Sequence, residues 1–252
     1  VIVADFAEQN LVRGLSFLAE RQAAIANNLA NVDTGSYKRR IGLSQETASP
    51  FQSMLDEQAT TIRYQERMDW TRGIVRQTDN PFDVSLDFDA GGRPRWMKVQ
   101  GVGGQELYTR NGQLQVDKTG RLTNMQGLPV LSAEGSPIQL PTGAEAPTGI
   151  SILPNGQIKD ATSGAVLGQI GVFELDPSGL RPAGNSLYVD GKQQRATAAA
   201  AGVQQGALEG SNVDSLQELV QMIAVERSFS ATQKALSGVG RMQDNIIANI
   251  LR

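Results

Sequence analysis

Asp83, Asp87 and Asp89 are the residues whose type and spacing come nearest to catalytic chemistry in this chain. Two carboxylates can cleave a glycosidic bond, one as acid and the other as base or nucleophile. Asp87 and Asp89 are two positions apart in strand-like sequence and so share a face, yet nothing nearby marks a substrate cleft. Asp117-Lys118-Thr119-Gly120 resembles a fragment of a calcium loop but lacks the further ligands and the closing Glu, so a plain β-turn is expected. Gly101-Val102-Gly103-Gly104 is glycine-rich, but no Gly-Lys-Ser or Gly-Lys-Thr follows and no helix pattern opens. A turn is expected there too, not a phosphate cradle.

Histidine and cysteine are both absent. That removes the imidazole base, thiol nucleophiles, disulfides and most metal sites together. Catalysis would rest on Asp, Glu, Lys, Ser or Tyr, and no catalytic residue, cofactor or metal ligand is assigned. The net charge of −3 is small and mixed in sign, so no nucleic-acid partner is expected. Lys38-Arg39-Arg40 is a local exception, expected at a solvated helix or loop end. No stretch reaches the roughly 20 apolar residues that span a bilayer. The opening VIVADFAEQN has neither the positive flank nor the apolar run of a secretory signal, so any export is expected to proceed without a cleaved one.

The elements that would position these residues are read from periodicity. Leu11, Leu15, Leu18, Ile25, Leu29 and Val32 recur at steps of four and three, with Gln22 filling one place, and predict a helix over residues 5–32. Asn31, Asp33, Thr34 and Gly35 mark its end. Asn27, Asn28 and Asn31 each cost about a few tenths of a kcal/mol against alanine in a helix. They fit either register-setting bonds to a neighbouring chain, as a buried Asn makes in coiled coils, or capping of the helix end. A second stripe, Val225, Phe229, Leu236, Val239, Met242, Ile246 and Ile250, predicts a terminal helix after Gly210-Ser211-Asn212, with Ser211 or Asn212 as cap. Gly238 and Gly240 interrupt it at a cost of about 1 kcal/mol each, so packing must hold it. Two such stripes must be buried, either by closing a globule on itself or by meeting a partner.

Between the helices the 27 glycines and 10 prolines of the 252-residue chain punctuate short alternating segments. Leu114 and Val116 lead into the turn Asp117–Gly120 and Leu122 resumes, which reads as a hairpin. Pro154-Asn155-Gly156 joins Ile150–Ile152 to Gln157-Ile158 as another, with Asn-Gly supplying positive φ angles. Asp176–Gly179 and Asp190-Gly191 end further strands, and residues 195–206 are expected as a returning connector. The fold class is α+β, a coiled-coil-like pair of N- and C-terminal helices with a central antiparallel β-rich domain. Its expected divisions are 1–42 (first helix and turn), 43–72 (extended arm), 73–207 (β domain) and 208–252 (last helix).

Four strings in order carry a resemblance. Residues 24–39 (AIANNLANVDTGSYKR), Asp79-Asn80-Pro81-Phe82-Asp83-Val84, Tyr108-Thr109-Arg110-Asn111-Gly112 with residues 116–122, and Leu208-Glu209-Gly210-Ser211-Asn212-Val213 resemble the bacterial flagellar axial proteins, the rod and hook family. Residues 218–223 and Arg227-Ser228-Phe229 resemble that family's C-terminal helix. The forms are most similar to the proximal rod branch, then the distal rod branch. Two departures stand out. The family has Thr, one residue, Gly, then Phe or Tyr, where this chain has Thr34-Gly35-Ser36-Tyr37. The run from Asp87 to Lys98 is polar where the family has a strand rich in Gly and Phe, so outer-surface contacts are not carried over.

The resemblance implies a structural, non-enzymatic rod subunit of the basal body that self-assembles into a helical shaft transmitting torque across the periplasm. Its partners would be other rod subunits, copies of itself and the flagellar type III export apparatus. Leu11, Leu15, Leu18, Ile25 and Leu29 with Val225, Phe229, Val239 and Ile246 form the expected packing seam, and Asn27, Asn28 and Asn31 the polar contacts. The competing class is a soluble β-rich glycan-binding protein or carboxylate-based hydrolase whose helices only close the fold.

Overall fold

The first stripe folds into α1, Ile2–Ala30. It stops short of residue 32 because Asn31 and Val32 donate to the carbonyls of Asn28 and Leu29, the tight three-residue bonds of a closing turn. The computed structural model describes residues 2–47, 61–143, 149–194, 196–199 and 202–250, with side chains described over 8–44, 64–143, 149–194, 196–199 and 202–242. These residues form two compact units. One comprises residues 1–32, 39–69 and 213–252, the other 33–38 and 70–212.

In the helical unit, α1 packs against α2, Ser215–Ile250. The end of α1 meets the start of α2 through Asn28 and Glu218, so the pair is antiparallel. Asp214 caps α2, its Oδ1 accepting from the backbone N–H of Leu216 and Gln217. Neither Ser211 nor Asn212 holds the expected cap position, and the Asn212 amide donates to Thr71 instead. Ile25 and Val225 are buried, and Leu11, Leu15, Leu18, Leu29, Phe229, Leu236 and Val239 are half-buried. Met242, expected in the second stripe, is 67% exposed. Alternating steps of four and three from Val225 through Phe229, Thr232, Leu236 and Val239 lead to residue 243, which leaves Met242 about 100° off the seam. The side chains of Ile246 and Ile250 lie outside the described residues.

The hairpin of β1, Arg40–Thr47, and β2, Thr61–Met68, lies where the extended arm was expected and completes this unit. The Tyr64 ring meets Phe17 of α1 edge-on, with centroids 5.9 Å apart. Gly42 makes room for it, because a Cβ there would lie 2.6 Å from the ring.

The β unit is built from short strands. In chain order they are β3 Val75–Gln77, β4 Val84–Leu86, β5 Arg95–Gln100, β6 Glu106–Thr109, β7 Leu114–Val116 and β8 Leu122–Asn124. Then come β9 Ile150–Ile152, β10 Gln157–Asp160, β11 Val166–Gln169, β12 Val172–Glu174, β13 Leu180–Gly184 and β14 Leu187–Asp190. The last are β15 Thr197–Ala198, β16 Val203–Gln205 and β17 Ala207–Glu209. All pairings among them are antiparallel, around a six-stranded sheet of order β13-β14-β6-β5-β12-β15. Val84, Leu86, Met97, Val99, Leu122 and Val130 are fully buried in its core.

Both expected hairpins form, β7 with β8 and β9 with β10. In the second turn Gly156 is left-handed at φ 83°, while Asn155 is not, so one positive φ closes the turn. Within the expected connector, β15 pairs with β12 and β16 with β4. It is partly sheet, and Arg195, Ala200 and Ala201 lie outside the described residues.

Candidate functional site

The β unit contains a buried cluster of opposite charges drawn from three distant places in the chain. Thr34–Tyr37 turns the chain after α1, Tyr37 donating to the Thr34 carbonyl, and this delivers Lys38 inward. Arg110 follows the end of β6, and Glu209 is the last residue of β17, paired opposite Val75. Lys38 Nζ donates to Glu209 Oε1 at 2.7 Å, and Arg110 Nε donates to Glu209 Oε2 at 2.8 Å. All three side chains are fully buried. The expectation of a solvated Lys38 is therefore overturned: the turn aims it at a carboxylate.

The remaining donors are satisfied by carbonyl oxygens. Lys38 also donates to Thr71, and Arg110 to Leu86 and Arg95. Glu209 accepts a third bond from the Gly73 N–H. Gly73 cannot be larger, since a Cβ there would lie 2.1 Å from the Gly210 carbonyl oxygen. The Phe88 ring lies 4.3 Å from the Arg110 guanidinium and 5.8 Å from the Lys38 ammonium, adding cation–π attraction that helps balance the second positive charge. Ser36, at φ 54°, donates its hydroxyl to the Arg110 carbonyl and its N–H to that of Glu209.

Burial acts to raise the Glu209 carboxyl, but Arg110 and Lys38 together outweigh it and hold the group below its ordinary value. For Arg110 burial prevails and lowers its affinity for the proton against the pull of Glu209. The two shifts differ in what they say of stability. Glu209, with two cations, gains from the pairing, while Arg110 does not recover its whole desolvation cost.

A second cluster lies in the helical unit. Asn28 donates to the Arg40 carbonyl and to Glu218 Oε2, and its own Oδ1 accepts from the Arg40 N–H. Arg39 Nε reaches Glu218 Oε1 at 2.5 Å, and Glu218 is 1% exposed. The Asn31 amide donates to the carbonyl and side chain of Asn27 one turn back, and Asn27 is exposed. Of the three asparagines, Asn28 thus joins the two helices of one chain, and Asn31 and Asn27 close the last turn of α1.

The aspartates singled out for chemistry are taken up by the fold. Asp83 accepts from the Asn80 amide, Asp87 pairs with Arg72, and Asp89 pairs with Arg93. Hydrogen bonds from the Arg93 backbone and side chain hold Asp89 below its usual value, so it stays ionised rather than serving as an acid. Asp117 caps its own turn, with bonds from Thr119 first and Arg121 next keeping it well below the carboxylate range. Among the described residues no group of three or more carboxylates is placed to hold a metal.

Three family models match the chain. Residues 9–38 match the flagella basal body rod protein model, 95–160 the D1 domain of flagellar hook protein FlgE/F/G, and 204–249 the C-terminal model of flagellar basal body rod FlgEFG proteins. The flagellar basal-body rod protein FlgF of Escherichia coli K12 is 33% identical over 93% of this chain and 94% of its own length. FlgF of Salmonella typhimurium is 30% identical over 93% of this chain and 94% of its own. FlgG of Buchnera aphidicola from Acyrthosiphon pisum is 29% identical over 86% of this chain and 89% of its own.

The chain belongs to the flagellar basal-body rod protein family. It is a structural rod protein, most like FlgF with FlgG next, and not an enzyme. Each matched stretch supplies one member of the buried cluster: Lys38 from the first, Arg110 from the second and Glu209 from the third. The strings that identify this rod protein are therefore also the strings that clasp one another. Sequence reading placed Arg110 and Glu209 inside quoted motifs without giving them a role. The available signal was a lone charge of each sign in otherwise small or polar strings.

Proposed function

We propose that this rod protein is a proximal rod subunit of the flagellar basal body. It assembles with copies of itself and other rod subunits into a helical shaft that transmits torque across the periplasm. It reaches the growing tip through the flagellar type III export apparatus. The observation that carries the reading is the match to FlgF over nearly its whole length, joined with a helix pair made from the two ends of the chain. A surface that meets a different surface on the next copy generates an open helix rather than a closed ring.

In this reading 1–42 and 208–252 form the wall, 43–72 the arm and 73–207 the outer β domain. Leu11, Leu15, Leu18, Ile25, Leu29, Val225, Phe229 and Val239 form the seam. Asn28 sets register within the pair, and Asn27 and Asn31 face a neighbouring subunit. The wall helices become fully ordered on joining the rod, which restrains early polymerisation.

The test is complementation in a strain lacking its own proximal rod protein, scored by motility and by incorporation into purified basal bodies. The wild-type chain restores both, and Leu29→Asp abolishes both while tryptophan fluorescence of the isolated protein stays native. The FlgG likeness favours a second reading, the distal rod. Rescue of a strain lacking the distal rod protein, and not the proximal one, would replace the first reading with the second.

A further inference from the structure

The buried cluster pins the chain just past the end of α1 to the chain just before the start of α2. Lys38 and Glu209, 171 positions apart in sequence, share one ion pair inside the β unit. Backbone bonds run beside it: Ser36 N–H to the Glu209 carbonyl at 2.8 Å, and Asn212 N–H to the Tyr37 carbonyl at 3.3 Å. The two segments that lead into the helices are therefore held side by side by the β unit itself.

Pairing two helices across a long loop is opposed by a closure entropy that grows with loop length. Pinning both segments replaces that loop with a few residues on each side and raises the effective concentration of one helix for the other. The first contacts within reach are those nearest the pinned segments, Asn28 and Arg39 with Glu218. We infer that the Lys38–Glu209–Arg110 cluster is a clamp that makes pairing of α1 and α2 a local event, so that the helices zip from the Asn28–Glu218 end toward their far ends. Lys38 is then a positioning residue for the helix pair. The inference concerns a single chain and stands whether or not subunits assemble.

Amide hydrogen exchange on the full chain tests it. In the wild type, exchange is slowest over residues 22–30 and 219–225 and quickens along both helices away from them. Lys38→Met, which keeps the length of the side chain and removes its charge, speeds exchange in both helices by about tenfold or more. The sheet amides of Met97, Val99 and Leu107 change several-fold less, and Lys38→Arg restores the wild-type pattern. Unchanged helix amides, or helix and sheet amides accelerated by the same factor, would overturn the clamp, the second result leaving Lys38 a merely structural residue. If Lys38→Met yields no folded protein, the wild-type profile decides. A gradient from the Asn28 end supports the clamp, and protection that is uniform along α1 refutes it.

Discussion

Ser36 holds a left-handed backbone at φ 54°, a conformation that costs an L-residue about 1–2 kcal/mol and glycine nothing. It stands where the resemblance sets a glycine between Thr34 and Tyr37. What it contributes in return is a hydroxyl bonded to the Arg110 carbonyl at 2.8 Å, worth about 0.5–1.5 kcal/mol. The two effects nearly cancel, so Ser36→Gly changes stability by less than about 1 kcal/mol. Ser36→Ala loses the bond and keeps the strain, for a cost of about 1–2 kcal/mol. Urea midpoints followed by tryptophan fluorescence measure both, and equal losses in the two variants would show that the backbone strain is not felt. The departure of residues 34–37 from the family pattern was legible in the sequence. The partner of the hydroxyl was not, because it lies 74 positions away and no local pattern points to it.

At the scale of elements, periodicity found the two helices and the Asp117–Gly120 and Asn155-Gly156 hairpins, since each is held by bonds between near neighbours in sequence. It gave residues 43–72 as a short strand or extended arm, without a hairpin. Pairing of β1 with β2 across a long connection leaves no short-range turn signal, and a glycine at 42 lowers strand propensity on its own. The structure supplies the reason for that glycine. Tyr64 lies across it to reach Phe17, so the empty position is filled by a ring from the partner strand. Gly42→Ala places a methyl group 2.6 Å from that ring and forces it off α1. The expected loss is about 1–3 kcal/mol from overpacking, seen as an earlier thermal transition in far-UV circular dichroism, where the helices dominate. A transition unmoved by the methyl would mean that Tyr64 swings aside freely and does not fix the hairpin on α1.

Over the whole molecule the two units carry separate optical reporters. Both tryptophans lie in the β unit, where Trp70 and Trp96 meet Tyr188 edge-on at 5.2 and 5.3 Å, while most of the helical signal comes from α1 and α2. Acid should register first in the fluorescence, for a reason of charge. The Glu209 pKa is lower in the folded chain than its ordinary value of about 4.3, so its contribution is complete above that pH and is lost as pH falls through the lower folded value. Once protonated, Glu209 leaves Lys38 and Arg110 buried without a counter-charge. Removing one partner of such a group costs about 3–5 kcal/mol. Glu209→Gln imposes that loss at every pH, since the amide has the shape of the protonated acid. The variant is therefore less stable near neutrality by about 3–5 kcal/mol, and the two stability curves converge as pH drops below about 4. Curves of urea stability against pH, read by tryptophan fluorescence, would show the convergence. Parallel curves would mean that Glu209 is not the carboxylate on which the acid limb depends, and that the clasp between the three family stretches stabilises the β unit by its shape alone.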